Sequence, residues 1–240
     1  MTGSVATYMP VPDQLRAIAR SAFSTVSAVT NVTFVEAPAS SGYRDVDIVI
    51  NGTTISGGGA AFFPTRQGYA LFPSTGDIYL GANTVQQNGG ISKSTYDVVG
   101  NGSLAGFYET FLHELGHALG LFHPMNYSDA TGAYNPNTSR NQSRDAEHAL
   151  YGDGLRQRSR GQRCTVGQAP MPLDILALQK LYGINQTASA GDDTCTIPAL
   201  NPGLRTIWDF GGTDTLDLSN MKVAARLDLR IGGVSDIGKI

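Results

Sequence analysis

The sequence predicts an α+β fold in two parts, a helix-and-strand domain over residues 1–185 and a short all-β region over residues 186–240. Three observations lead there. Apolar residues recur at helical spacing in three separate windows. Short β-branched and aromatic runs, ended by Gly, Pro or Asn-Gly, lie between the first two windows. After Asn185 the chain changes to Gly-, Asp- and Thr-rich turns with short strands between them.

The first helix is expected over residues 12–30, where Leu15, Ile18, Ala19, Ala22, Phe23, Val26 and Val29 form one apolar stripe. Asp13 is the expected N-cap, with Pro10 and Pro12 before it. Strands are expected at 32–35, at 47–50 ending in the turn pair Asn51-Gly52, at 69–72 ending at Pro73, and at 77–80 ending at Gly81. One helix followed by several strands describes half of an α+β domain with a mixed or antiparallel sheet. Residues 85–104 are polar and Gly/Ser-rich and read as loop. A second helix follows at about 106–119, with Leu112, Leu115, Ala118 and Leu119 as its stripe. Gly120 stands where a left-handed residue would end it. Residues 125–170 show neither helical nor strand period. A third helix is expected at 172–182, with Leu173, Leu176, Ala177, Leu181 and Tyr182 as its apolar positions and Gly183 as its stop.

The second helix carries the chemistry. His113 and His117 are four residues apart, so both rings leave one face of the helix. Imidazole nitrogens suit zinc, and Glu114 is placed to reach a water on the metal. Gly120 permits a sharp turn that can bring His123 back as a third ligand. Three protein ligands leave a position for water, which is the catalytic arrangement of zinc rather than the closed structural one. Such a metal acidifies water and polarises a carbonyl, while Glu114 would carry a proton from that water to a leaving amine. The implied reaction is hydrolysis of a peptide bond with no covalent intermediate.

Composition excludes several other classes. A net charge of -3 gives no electrostatic case for nucleic acid. No run of about 20 apolar residues exists to span a membrane. Residues 1–13 lack the basic and apolar blocks of a Sec signal peptide. Cys164 and Cys195 fit no metal pattern and are expected as unpaired thiols, a single bridge between them being the alternative.

The run His113-Glu114-Leu115-Gly116-His117-Ala118-Leu119-Gly120-Leu121-Phe122-His123 matches the metzincin motif, and Pro124 after it resembles the serralysin branch. Gly68-Tyr69-Ala70-Leu71-Phe72-Pro73 and Gly76-Asp77-Ile78-Tyr79-Leu80 are similar to the serralysin strands before the active-site helix. Residues 173–183 resemble the helix that closes that catalytic domain. Trp208-Asp209-Phe210-Gly211-Gly212-Thr213-Asp214-Thr215 resembles the opening of the calcium-binding β-roll. The resemblance implies a two-lobed zinc endopeptidase domain over 1–185 and a partial calcium β-roll over 186–240. It also implies secretion, polypeptide substrates and a monomeric chain. It marks Gly191, Asp193, Asp209, Gly211, Gly212 and Asp214 as calcium ligands, donors whose carboxylate and carbonyl oxygens suit that ion. An extended substrate is expected along the strand near residues 68–73.

One part departs from that pattern. Serralysins carry a Met-turn, roughly Tyr-Ser/Thr-x-Met-x-Tyr, between the third histidine and the closing helix, and no such run occurs here. Residues 140–163 instead hold six of the thirteen arginines, a composition unsuited to the floor of an active site. Residues 148–157 have a possible coding in which the next reading frame gives Thr-Leu-Tyr-Thr-Val-Met-Ala-Tyr-Ala. A shifted frame restored before Pro172 and a divergent loop are the two explanations. As written, Asp153 stands in place of the methionine and Leu155 in place of the tyrosine. The alternative function is therefore a zinc-binding relic with impaired catalysis that acts as a binding module.

Overall fold

A computed structural model describes residues 8–9, 11–42, 45–54, 58–64, 76–81, 104–121, 170–197 and 206–237. Helix α1 spans Asp13–Val29, one residue inside the expected limits at each end. Asp13 is not its N-cap: Pro12 holds that place with extended ψ, and its carbonyl accepts the N–H groups of Leu15 and Arg16. Proline needs no N–H there, and an acidic first turn suits the helix dipole. The predicted stripe is the buried face, with Leu15, Ala19, Ala22, Val26 and Val29 almost fully covered.

Strand β1 spans Tyr8–Met9, β2 Ile50–Thr53, β3 Gly59–Ala61 and β4 Ile78–Leu80. They form one mixed sheet in the order β1-β2-β4-β3, with β2 and β4 parallel and the two outer pairs antiparallel. Ile78 and Leu80 are fully buried while Tyr79 between them is half-buried, the alternation of a strand with one face on the core. Two expected features are corrected here. Residues 32–35 make no ladder; Phe34 packs its ring on Phe23 at 4.7 Å, while Val35 is 85% exposed. Asn51-Gly52 is no turn, because both residues pair with β4 inside strand β2. The strand expected at 69–72 lies outside the described residues.

The end of β4 is fixed by a bulge. Phe62 accepts from Gly76 N–H and donates to the Asp77 carbonyl, so one residue opposes two. Gly76 takes φ +82°, and a Cβ there would stand 2.8 Å from the Asp47 carbonyl oxygen. Buried Asp77 then accepts the N–H of Val49 at 3.0 Å, tying β4 to the entry of β2.

Helix α2 spans Leu104–Ala118 and packs on α1 through Phe23 and Phe111, whose rings meet edge to face at 5.6 Å. Phe111, Leu115, Ile78 and Leu80 form the centre of the core with Leu15 and Val26 of α1. Each such side chain contributes roughly 1.5–3 kcal/mol by leaving water.

Helix α3 spans Pro172–Tyr182, the expected residues. Pro172 occupies the first turn, Asp174 accepts the Met171 N–H at 2.9 Å, and Gly183 ends the helix at φ +81°. Of the expected stripe, Ala177 is buried and Tyr182 packs on the core, but Leu173, Leu176 and Leu181 are exposed, and Asp174, Ile175 and Leu178 take their place on the buried face. Gln179 donates to the Val29 carbonyl, Asn185 to that of Ser27, and Asn31 to that of Gly183, which stitches α3 to the end of α1.

Beyond residue 186 the described residues are all strand and turn. Strands β5 (Thr194–Thr196) and β6 (Thr215–Asp217) pair in parallel, and β7 (Ala225–Arg226) and β8 (Asp236–Ile237) pair antiparallel. Cys195 is a free thiol, and Cys164 lies outside the described residues. Among the described residues no helix is long and apolar enough to cross a membrane.

Candidate metal centre

The last turn of α2 is built by glycine. Gly120 takes φ +96°, its N–H bonds the His117 carbonyl at 2.9 Å, and the Leu121 N–H bonds the Gly116 carbonyl at 2.9 Å. These two bonds make a Schellman motif, which satisfies the helix's last carbonyls and turns the chain away. Tyr182 of α3 completes the end by donating its hydroxyl to the Leu119 carbonyl at 2.8 Å.

The turn also sets the chemistry of a histidine. Nδ1 of His117 lies 2.8 Å from the Leu121 carbonyl, which can only accept, so Nδ1 carries the proton. That tautomer puts the lone pair on Nε2, the form a metal ligand requires, and it orients the ring. His113 lies one turn earlier with its ring centroid 4.8 Å from that of His117 and perpendicular to it. Phe63, just past β3, covers His117 edge to face at 5.2 Å. The two imidazoles thus stand together beside the sheet's β3 edge. His123 lies outside the described residues, two positions beyond Leu121.

Glu114 is 94% covered, at 6% exposure, and burial raises its pKa from the ordinary carboxylate range to about 7. A carboxylate held in so dry a place is costly unless a positive charge compensates it, so a divalent cation between the imidazoles fits the donor set. Glu114 lies against Gly59 of β3, where a Cβ would stand 2.8 Å from its Cγ and 3.0 Å from its Oε1. Gly59 and the Leu121 carbonyl are the contributors to the site that sequence reasoning missed. The triplet Gly57-Gly58-Gly59 reads as loop, and a backbone acceptor leaves no mark in composition.

The second group of candidates lies around β5 and β6. Carboxylate oxygens of Asp193, Asp209 and Asp214 fall within 4.8 Å of one another, and all three residues are exposed. Asp214 also accepts the N–H of Asp193 at 2.9 Å. Gly212 sits at φ +122°, so close to Gly191 that a Cβ there would overlap the Gly191 carbonyl. Gly211 meets no such neighbour. Asp192, outside the expected set, accepts the Thr213 N–H at 2.8 Å and holds the same two turns together.

Comparison with known proteins agrees in both parts of the chain. The family model described as Matrixin matches residues 4–147, and the one described as Peptidase M10 serralysin C terminal matches residues 173–240. Serralysin C of Dickeya chrysanthemi is 34% identical over 72% of this chain and 37% of its own length. Metallopeptidase AprA of Pseudomonas marginalis is 32% identical over 94% of this chain and 48% of its own. Metalloprotease AprA of Pseudomonas entomophila is 30% identical over 97% and 49%. The chain therefore spans about half the length, or less, of the relatives it matches. The two family matches stop and resume on either side of residues 148–172, which include the stretch where the Met-turn was expected and not found.

Proposed function

The chain belongs to the matrixin family of M10 metallopeptidases as a serralysin-like metzincin, and from that premise we propose that it is a zinc-dependent endopeptidase that cuts extracellular proteins. His113 and His117, with His123 as the third ligand, would hold the zinc. The observation that carries the reading is the Schellman turn at Gly120, which fixes the His117 tautomer through the Leu121 carbonyl one turn from His113 and next to a buried carboxylate. When bound, the metal supplies Lewis acidity toward the scissile carbonyl and acidifies water.

The residues of the chain do the rest. Glu114 takes a proton from the attacking water and delivers it to the leaving amine nitrogen. Burial favours its protonated form, which assists delivery, while the cation's charge favours the ionised form needed for the first step. Substrate would lie along β3, the outer strand of the sheet among the described residues. Gly58 and Phe62 bond to β4, so by the strand's alternation Gly59 and Ala61 turn their N–H and C=O groups outward beside Glu114. An extended peptide adds there as a further strand. Substrate is thereby proposed on 59–61; the strand expected to take it, near 68–73, lies wholly outside the described residues.

Calcium is proposed at the junction of β5 and β6, held by the carboxylates of Asp193, Asp209 and Asp214 with carbonyls of Gly191, Gly211 and Gly212. This makes residues 1–185 the catalytic domain and 186–240 the start of a calcium β-roll.

The test is casein cleavage by purified protein with metal analysis. One zinc per chain, cleavage abolished by a chelator and by Glu114→Ala, supports the reading. Bound zinc without cleavage supports the catalytically impaired relic instead.

A further inference from the structure

We propose that Gly59 is a positioning residue for Glu114, the bare backbone of the edge strand setting where the general-base carboxylate rests. The inference rests on the peptidase reading above and adds to it a determinant outside the helix.

A Cβ on Gly59 would stand 2.8 Å from Cγ, 3.1 Å from Cδ and 3.0 Å from Oε1 of Glu114. Carbon atoms in contact normally keep 3.5–4.0 Å. The overlap begins at Cγ, near the root of the side chain, so swinging the carboxylate tip alone does not relieve it. The helix backbone is poorly placed to retreat, because Phe111 and Leu115, on either side of Glu114 in α2, are fully buried. The strand is tied as well, Gly58 accepting from Gly81 at 2.9 Å and Phe62 donating to Asp77 at 3.0 Å. An added methyl therefore displaces the Glu114 side chain as a whole. Its neighbour has no such constraint, since a Cβ on Gly58 would meet nothing nearer than Thr110 Cγ2 at 3.8 Å. Glycine weakens a strand, and its presence inside one marks a close approach from outside. Here the approaching group is Glu114.

The experiment compares zinc-loaded wild type with Gly59→Ala, Gly58→Ala, Glu114→Ala and the Gly59→Ala/Glu114→Ala double variant. Readouts are zinc content, Tm, and kcat and KM on an internally quenched peptide. Under the proposal Gly59→Ala keeps its zinc and loses roughly 10–100-fold in kcat, the scale of an ångström-sized misplacement, with KM within about threefold. Its Tm falls by a few degrees, and no further fall appears when the same change is made in the Glu114→Ala background, where the opposing side chain is gone. Gly58→Ala behaves as wild type. Should Gly59→Ala alone fail to fold, the double variant folds. A Gly59→Ala protein with wild-type kcat, or a Tm loss equal in both backgrounds, overturns the proposal. Wild-type protein that cuts no peptide sinks the peptidase reading, and the Tm cycle then still decides whether Gly59 holds Glu114.

Discussion

Replacing Gly120 by alanine separates backbone strain from crowding at the end of α2. Gly120 sits at φ +96°, where an L-residue costs about 1–2 kcal/mol. A Cβ there would lie 3.5 Å from Pro64 Cγ and 3.8 Å from Leu181 Cδ1, ordinary contact distances. The strain is therefore the whole effect, and the expected loss stays near 1–2 kcal/mol. For a domain of this size that corresponds to a fall of about 2–8 °C in Tm. The loss extends to the metal, because the residue after the turn supplies the carbonyl that orients His117. Weakening that contact is expected to lower zinc affinity by about 10–100-fold. Gly120→Asn, which tolerates the left-handed region better, should lose less of both. Urea unfolding of the zinc-free protein gives the first quantity and competition with a chromophoric chelator gives the second. An alanine variant as stable as wild type refutes the strain argument, and a loss above about 4 kcal/mol means that crowding at Pro64 governs instead.

Three further outcomes are expected. Tyr182→Phe removes the donor to the Leu119 carbonyl and should lower stability by about 1–2 kcal/mol in urea with an unchanged m-value. In zinc-free protein Glu114 titrates near 7 instead of near 4.5, so the stability it confers is present below pH 4.5 and lost as pH rises through 7. That difference amounts to about 3 kcal/mol, and Glu114→Gln should lack that part of the pH profile in parallel unfolding series. Gly212→Ala drives a methyl into the Gly191 carbonyl and should abolish any rise in Tm on adding millimolar calcium, while the zinc content of the protein should stay unchanged.

Helices were legible wherever period and punctuation agreed. Residues 172–182 carry Pro at the start, Gly at the stop and apolar residues throughout, and the helix has those bounds. Its buried side was read only at Ala177 and Tyr182, because Leu appears on both faces, at Leu176 and Leu178, and only docking on α1 selects between them. The strands were harder. Gly59-Ala60-Ala61 has no strand propensity, and β4 makes it a strand by pairing with it. Asn51-Gly52 carries a strong local turn signal, yet the pairing of β1 and β4 on its two sides overrides it. At the site, the histidine spacing, Glu114 and the left-handed Gly120 were readable because each acts through its own identity. What escaped, Gly59 and the carbonyl of Leu121, acts through backbone that a change of side chain hardly reports.

The hydroxyl of Tyr182 bonds the carbonyl of Leu119, 63 residues earlier and one residue past the end of α2. Ribosomes deliver chain from the N-terminus, so α1, the sheet and the histidine helix emerge well before the group that finishes them. Before α3 docks, the helix end already has its Schellman bonds, and the more than fifty residues between α2 and α3 must be synthesised before that dock can form. The order of synthesis thereby works as a timer: the histidine helix acquires the Tyr182 bond only once the following stretch has left the exit tunnel.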